Sequence, residues 1–176
     1  MKTLAQEITI DERNALTFAD ISRILSARVK GMSVLYVDLE VIKGKYTESR
    51  LIGGHDCACI LITARRGNQV QRHWTVLLKI KNHYEFFDSL GLSWTALSGI
   101  IGNTKLQDFL TSIRAVPSKR KLQAHIRKIR TCGCWAAIRC AKYKLTNAQF
   151  VKWVTSVDSR DPDRTVVSLC YIGLLT

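Results

Sequence analysis

Proline is scarce in this sequence, and no long apolar run is present. Only 2 of the 176 residues are proline while 47% are hydrophobic, a composition that argues against disorder and favours a packed core. Because no stretch of about 18 apolar residues occurs, we predict no transmembrane helix and no membrane partner. The opening residues, MKTLAQEITIDERN, lack the apolar stretch of a signal peptide, so we expect a protein that is not secreted.

Internal repeats, low-complexity tracts and linkers are also missing, so residues 1–176 are predicted to form a single domain. Apolar spacing predicts helices over 17–29, 104–113, 133–144 and 147–157, the first with Thr17 and Asp20 at its cap. Short apolar or alternating runs predict strands over 57–64, 73–81, 84–90 and 121–126, with Asn82-His83 as a hairpin turn. The apolar segment 165–175 should be buried as a helix or a strand. This order of elements indicates the α+β class.

Acidic residues are missing altogether between Asp108 and Asp158, in a chain whose net charge is +13. The cations of that span are Arg114, Lys119, Arg120, Lys121, Arg127, Lys128, Arg130, Arg139, Lys142, Lys144 and Lys152. A block of one sign attracts polyanions, and nucleic acid is the commonest polyanion in a cell. The sequence therefore predicts a nucleic-acid partner for the basic residues 114–152, with solubility alone as the alternative.

The six cysteines are expected to be thiols or metal ligands, because a chain that is not secreted meets a reducing environment. In the segment IRTCGCWAAIRCA (129–141), Cys132 and Cys134 could belong to a metal site, to a disulfide or to a nucleophilic site. Together with His55, Cys57 and Cys59 they could bind zinc, and the charge would suit a zinc-containing nucleic-acid-binding protein. Structural zinc pairs usually have about two to four residues between ligands, which disfavours this alternative.

A nucleophilic role suits the position of Cys132 at the start of a predicted helix. The unpaired N–H groups of a helix N-terminus lower the pKa of a thiol and can also hold a developing oxyanion. Gly133 would let a substrate backbone approach closely. His73 and Asp88 lie on adjacent predicted strands, where one could deprotonate the thiol and the other orient the histidine.

These residues carry a family resemblance. The order His, Asp, Gln, Cys, with HW at 73–74, FFDSLG at 86–91 and CG at 132–133, resembles the adenain and ubiquitin-like-protein protease clan. The upstream CACILITARRGNQVQRHW is similar to the strand and loop before the catalytic histidine of adenovirus-type maturation proteases. The resemblance covers about residues 55 to 143. It implies an adenain-like fold, in which a mixed, mostly antiparallel sheet packs on a central helix that begins at the catalytic cysteine, with further helices around it.

The resemblance also implies a role for each matching residue. Cys132 matches the nucleophile, His73 the general base and Asp88 the carboxylate that orients the histidine. Gln123 matches the side-chain donor of the oxyanion hole, and Trp74 matches the indole that shields the histidine. Gln123 lies nine residues before Cys132, farther than the family's spacing, so either the loop is longer here or another group is the donor.

By this resemblance the protein is expected to be a cysteine endopeptidase that cleaves capsid or core precursor proteins during particle assembly. The small size and basic charge resemble the viral branch, including the proteases of virophages and polinton-like elements. We expect a monomer in the virion and at the site of assembly, with DNA or an activating peptide as a possible cofactor and no metal in the chemistry. A ubiquitin-like-protein isopeptidase and a non-catalytic capsid or packaging protein are the further alternatives.

Overall fold

The computed structural model describes residues 15–124 and 130–172. Within these ranges the chain forms five strands, β1 Val34–Asp38, β2 Cys57–Arg66, β3 Gln69–Ile80, β4 His83–Phe87 and β5 Val116–Pro117. The same ranges contain seven helices, α1 Phe18–Arg28, α2 Glu48–Leu51, α3 Trp94–Ile101, α4 Lys105–Ser112, α5 Cys132–Ala141, α6 Asn147–Val157 and α7 Pro162–Ile172. The predicted α+β class is confirmed. No helix of the described ranges is long and apolar enough to cross a membrane.

The five strands form one mixed sheet in the order β1-β2-β3-β4-β5. The central pairs β2–β3 and β3–β4 are antiparallel, whereas β1 and β5 run parallel to their neighbours at the two edges. The predicted β3–β4 hairpin is present, but its turn lies one residue earlier than predicted. Ile80 pairs with His83, so Lys81 and Asn82 form the turn, with Lys81 in the left-handed region at φ 53°.

Helices cover both faces of the sheet. Side chains of β2 and β3 alternate between the faces, so Cys57, Cys59 and Leu61 share one face while Ala58, Ile60 and Ile62 share the other. The first face packs against α1, α5, α6 and α7, and the second against α2, α3 and α4. Because both faces are buried, β2 has the nearly continuous apolar sequence CACILITA instead of an alternating one.

The central helix is α5, in which every residue from Cys132 to Cys140 is buried. Its Ala-rich sequence favours a helix and allows close packing against β3. Trp135 at its centre packs against Phe87 of β4 and Phe150 of α6. The helix that begins with Cys132 is therefore held against the strand pair that carries His73 and precedes Asp88.

The predicted helices over 17–29, 104–113, 133–144 and 147–157 correspond to α1, α4, α5 and α6, and Thr17 and Asp20 form the expected capping box. The predicted strand over 121–126 is wrong for residues 121–124, and its last two residues lie outside the described ranges. The N–H groups of Leu122 and Gln123 both donate to the Ser89 carbonyl, so they do not enter a strand ladder. The apolar C-terminal segment is helical in α7 as far as Ile172.

Candidate active site

His73 and Asp88 are brought together by the register of the β3–β4 hairpin. Val76 pairs with Phe87, so β3 extends past the end of β4 and Asp88 follows directly where that strand stops. The Nε2 atom of His73 lies 2.6 Å from Oδ1 of Asp88. The His73 side chain is 15% exposed and that of Asp88 only 1% exposed. Little water can therefore reach the hydrogen bond between them and weaken it.

The turn after Asp88 fixes the orientation of its carboxylate. Leu90 N–H donates to Oδ1 and Leu92 N–H to Oδ2, each at 2.9 Å. Gly91 has a φ of 63°, and a Cβ added there would lie 2.8 Å from the backbone nitrogen of Lys121. The sequence DSLG therefore lets the carboxylate bind its own turn and lets the chain at Lys121 pack directly on it.

Cys132 occupies the first position of α5 and contacts His73. Burial would raise the pKa of the Cys132 thiol, but the hydrogen bond and the charge of His73, with help from the backbone at Trp74 and Gly133, lower it. Burial would lower the pKa of His73, but hydrogen bonds to Asp88 and Cys132 raise it to about 10. The two shifts favour a thiolate beside an imidazolium, with Asp88 on the opposite ring nitrogen.

Gln123 lies on the same turn as Asp88. The Ser89 hydroxyl donates to Gln123 Oε1 at 2.7 Å, and the Gln123 N–H donates to the Ser89 carbonyl at 2.9 Å. Because the hydroxyl must be the donor to the amide oxygen, the Gln123 Nε2 group is left as a hydrogen-bond donor. The structure thus places the predicted oxyanion donor against the DSLG turn despite its longer spacing from Cys132.

The segment before α1 lies against the start of α5. The indole Nε1 of Trp74 donates to the Leu16 carbonyl at 3.0 Å, and the Phe18 ring packs edge-on to Trp74. A Cβ added at Gly133 would lie 2.7 Å from Cβ of Leu16. The glycine was expected to leave space for a substrate backbone, but in the structure Leu16 occupies the space beside it.

Asp163 was not predicted from the sequence, yet its buried carboxylate lies beside this site. Its Oδ2 accepts from Ala124 N–H at 2.7 Å, while Oδ1 accepts from the Trp135 indole at 2.8 Å and from the Thr131 hydroxyl. Asp163 lies in the first turn of α7, and an acidic residue at that position is ordinary, so no local pattern indicated this role.

The residues of the alternative zinc site do not come together as a group of three or more ligands in the described ranges. Cys59 lies 3.3 Å from Cys140 (Sγ to Sγ), and His55 is hydrogen-bonded to Ser33. Contact with Cys140 and burial raise the pKa of Cys57, in contrast to the lowered pKa of Cys132. Residues 15–124 and 130–172 contain no group of three or more His, Cys, Asp or Glu side chains arranged to hold a metal ion.

The cations of the basic span 114–152 are not all exposed. Arg139 was predicted to face a polyanion, but its side chain is fully buried and paired with Glu85, because it lies on the inward side of α5. The other described cations of the span are exposed, and Arg127 and Lys128 lie outside the described ranges. Lys119, Arg120 and Lys152 line one groove between β5 and α6.

Cys132, His73 and Asp88 thus form a continuous chain of contacts, and Gln123 is hydrogen-bonded to Ser89, the residue that follows Asp88. A thiolate at a helix start, an imidazolium and a buried carboxylate can together perform acyl transfer. Comparison of the whole sequence with models of protein families and with curated proteins finds no match.

Proposed function

We propose that this protein is a cysteine endopeptidase in which Cys132 is the nucleophile and His73, oriented by Asp88, transfers the protons. The observation that carries the proposal is the Cys132–His73–Asp88 chain, in which the pKa of the thiol is lowered and that of the imidazole is raised. Buried structural cysteines behave in the opposite way, as Cys57 and Cys140 do in the same molecule, where burial and neighbouring thiols raise the pKa.

In the proposed reaction the Cys132 thiolate attacks a peptide carbonyl and forms a tetrahedral intermediate. The Cys132 N–H at the start of α5 and the Gln123 Nε2 group donate to its oxyanion. The His73 imidazolium gives its proton to the leaving amine as the C–N bond breaks, which leaves a thioester on Cys132 and a neutral imidazole. His73 then removes a proton from water as the water attacks the thioester, and the free carboxylic acid and the ion pair are restored.

The substrate class follows from the resemblance. The mixed sheet packed on a central helix that begins at Cys132 agrees with the adenain-like fold that the HW, FFDSLG and CG motifs imply. We therefore propose viral capsid or core precursors as the substrates, cleaved in the assembling particle. Purified protein should cut such a precursor, whereas a ubiquitin-like-protein isopeptidase would cut a ubiquitin-like fusion instead.

Selective alkylation tests the proposed ion pair. At about pH 6, iodoacetamide should label Cys132 at least about tenfold faster than each of the other five cysteines, because an ordinary thiol is almost fully protonated there. In His73→Ala the labelling of Cys132 should fall towards the rate of the others, because burial then raises the pKa of the thiol against only the backbone contacts at Trp74 and Gly133. The rates are measured by mass spectrometry of digested protein.

His83→Ala is the matched control, because His83 also contacts a carboxylate, Glu85, but does so at the hairpin turn and away from Cys132. It should leave the labelling of Cys132 unchanged. Uniformly slow labelling of all six cysteines, or fast labelling of Cys132 that survives in His73→Ala, would refute the proposed Cys132–His73 pair.

The exposed cations support the proposal that DNA guides the enzyme to its substrates. Changing Lys119, Arg120 and Lys152 to Gln should weaken binding to duplex DNA and make log K against log salt shallower by about two to three. A second triple variant, with Gln at Lys30, Lys43 and Lys45, removes the same charge from exposed positions elsewhere. Equal loss in both variants, or wild-type binding that does not weaken with salt, would contradict a DNA site at the groove between β5 and α6.

A further inference from the structure

The chain between Gln123 and Cys132 is held at both of its ends by one carboxylate. Asp163 is 3% exposed, and its two oxygens bind residues on either side of that segment. Ala124, whose N–H donates to Oδ2 at 2.7 Å, follows Gln123 directly. Thr131, whose hydroxyl donates to Oδ1, directly precedes Cys132. A single side chain from α7 therefore ties the residue next to the proposed oxyanion donor to the residue next to the proposed nucleophile.

We propose that Asp163 is a positioning residue that sets the distance between the Gln123 amide and Cys132. The inference rests on the proposed function, because it assigns those two residues the same tetrahedral intermediate. Eight residues, 124–131, lie between them along the chain, so their distance is not fixed by the length of the segment alone. Two anchors on one buried carboxylate remove that freedom, and the longer spacing then remains compatible with a joint oxyanion site.

The contacts of Asp163 explain why a carboxylate is needed. Its three partners are a backbone N–H, a hydroxyl and the Trp135 indole N–H, and all three act as donors. A carboxylate accepts from all of them, whereas an amide has one acceptor oxygen and presents an NH2 group to the rest. In Asp163→Asn the NH2 group must face either the Ala124 N–H or the Trp135 indole N–H, and that contact is lost because two N–H groups cannot bond to each other. The Thr131 hydroxyl can turn and accept from the NH2 group, but it then binds a neutral amide in place of a carboxylate.

Asp163 also keeps the Thr131 side chain away from the N-terminus of α5. The residue that precedes a helix commonly caps it with its own side chain, but the Thr131 hydroxyl binds Asp163 and makes no cap bond. The Thr131 side chain therefore does not compete with an oxyanion at the start of α5, where the Cys132 N–H is the proposed donor.

The test separates thiolate formation from oxyanion binding. Iodoacetamide alkylates Cys132 by displacement of iodide and needs no oxyanion site. A short peptide aldehyde ending in glycinal adds to the thiolate and forms a hemithioacetal whose oxygen requires that site. The aldehyde concentration that halves the alkylation rate of Cys132 is measured for the wild type, Asp163→Asn and the control Asp161→Asn, which alters an exposed carboxylate at the start of the same helix.

In Asp163→Asn the alkylation rate of Cys132 between about pH 5 and pH 9 should change less than about twofold. The halving concentration of aldehyde should rise by about 10- to 100-fold, because misplacing an oxyanion donor costs less than removing it, which costs about 100- to 1,000-fold. Thr131→Val removes one of the two anchors and should give a smaller change in the same direction, which keeps the test valid should Asp163→Asn fail to fold. Asp161→Asn should behave as the wild type.

Equal aldehyde protection in the wild type, Asp163→Asn and Thr131→Val would overturn the inference and leave the proposed peptidase intact. Joint loss of alkylation and protection in a folded Asp163→Asn would also overturn it, because Asp163 would then support only the general fold. Absence of aldehyde protection in the wild type would refute the proposed function itself, and the inference with it.

Discussion

Replacing Asp88 by Asn should slow peptide hydrolysis by about 10³- to 10⁴-fold, the range seen when a buried triad carboxylate is changed to an amide. Both Asp88 oxygens already accept a backbone N–H, from Leu90 and Leu92, and Oδ1 also faces His73. An asparagine has one acceptor oxygen, so either the Leu90 or the Leu92 N–H must lose its partner, and the imidazole also loses its acceptor when the NH2 group takes the place of Oδ1. In either case the negative charge that stabilises the His73 imidazolium is lost.

The same substitution, Asp88→Asn, should also shift the pH dependence of activity. Activity requires the Cys132 thiolate and the His73 imidazolium together, so the rate should rise through the lowered pKa of Cys132 and fall through the raised pKa of His73, about 10. Asp88 is a principal cause of the raised pKa of His73. In Asp88→Asn the alkaline limb should therefore move to lower pH, and alkylation of Cys132 at acidic pH should slow.

Asp38→Asn is a matched control for Asp88→Asn. Asp38 lies at the end of β1, much as Asp88 follows the end of β4, and it accepts the N–H of the residue two positions later, Glu40, at 2.9 Å. Substitution there changes the same type of turn without touching His73, so turnover and its pH profile should be unchanged. An equal loss in both variants, or an alkaline limb that does not move in Asp88→Asn, would show that Asp88 does not act through the imidazolium.

The local parts of this site could be predicted from the sequence. His73 and Asp88 are separated by one hairpin, so the strand pattern alone brings them to adjacent strands. The position of Cys132 at the start of a helix could be predicted because the segment that follows it is Ala-rich and favours a helix. Gln123 was identified by resemblance alone, since residues 121–124 form no strand and their position depends on the Ser89 carbonyl.

The remaining parts depend on contacts between distant elements, which periodicity does not encode. β1 and β5 are short edge strands of five and two residues, and each pairs in parallel with a strand far along the chain. Asp163 reaches Ala124 and Thr131 only because α7 packs beside α5. Arg139 was misassigned because a run of cations in the sequence does not show which of them lies on the buried side of a helix.

Arg139→Met should destabilise the folded protein by about 3–5 kcal/mol, because it leaves the Glu85 carboxylate buried without its cation. The Arg139 guanidinium lies 3.6 Å from Glu85 Oε2 and donates to the carbonyls of Lys142 and Leu145 and to the Asn147 side chain. It also packs over the Phe150 ring at 5.1 Å. Urea unfolding followed by tryptophan fluorescence would measure the change.

An exposed ion pair provides the control. Arg65 binds Glu40 at 2.6 Å, but its side chain is 61% exposed, so Arg65→Met should cost less than about 1 kcal/mol. A double variant, Arg139→Met with Glu85→Gln, should be more stable than Arg139→Met alone by roughly 1–3 kcal/mol, because the uncompensated charge is removed. A double variant no more stable than the single one would mean that lost packing, rather than the unpaired Glu85, causes the effect.

The buried Arg139–Glu85 pair should affect the proposed active site as well as the stability of the fold. Glu85 lies on the strand that ends just before Asp88, and Arg139 lies two turns after Cys132 on α5. The Arg139–Glu85 contact therefore joins the element that carries the proposed nucleophile to the element that positions the proposed carboxylate. At low denaturant, where Arg139→Met is still folded, His73-dependent alkylation of Cys132 should already be slower than in wild type. Unchanged alkylation in folded Arg139→Met would instead show that packing around Trp135 alone aligns α5 with β4.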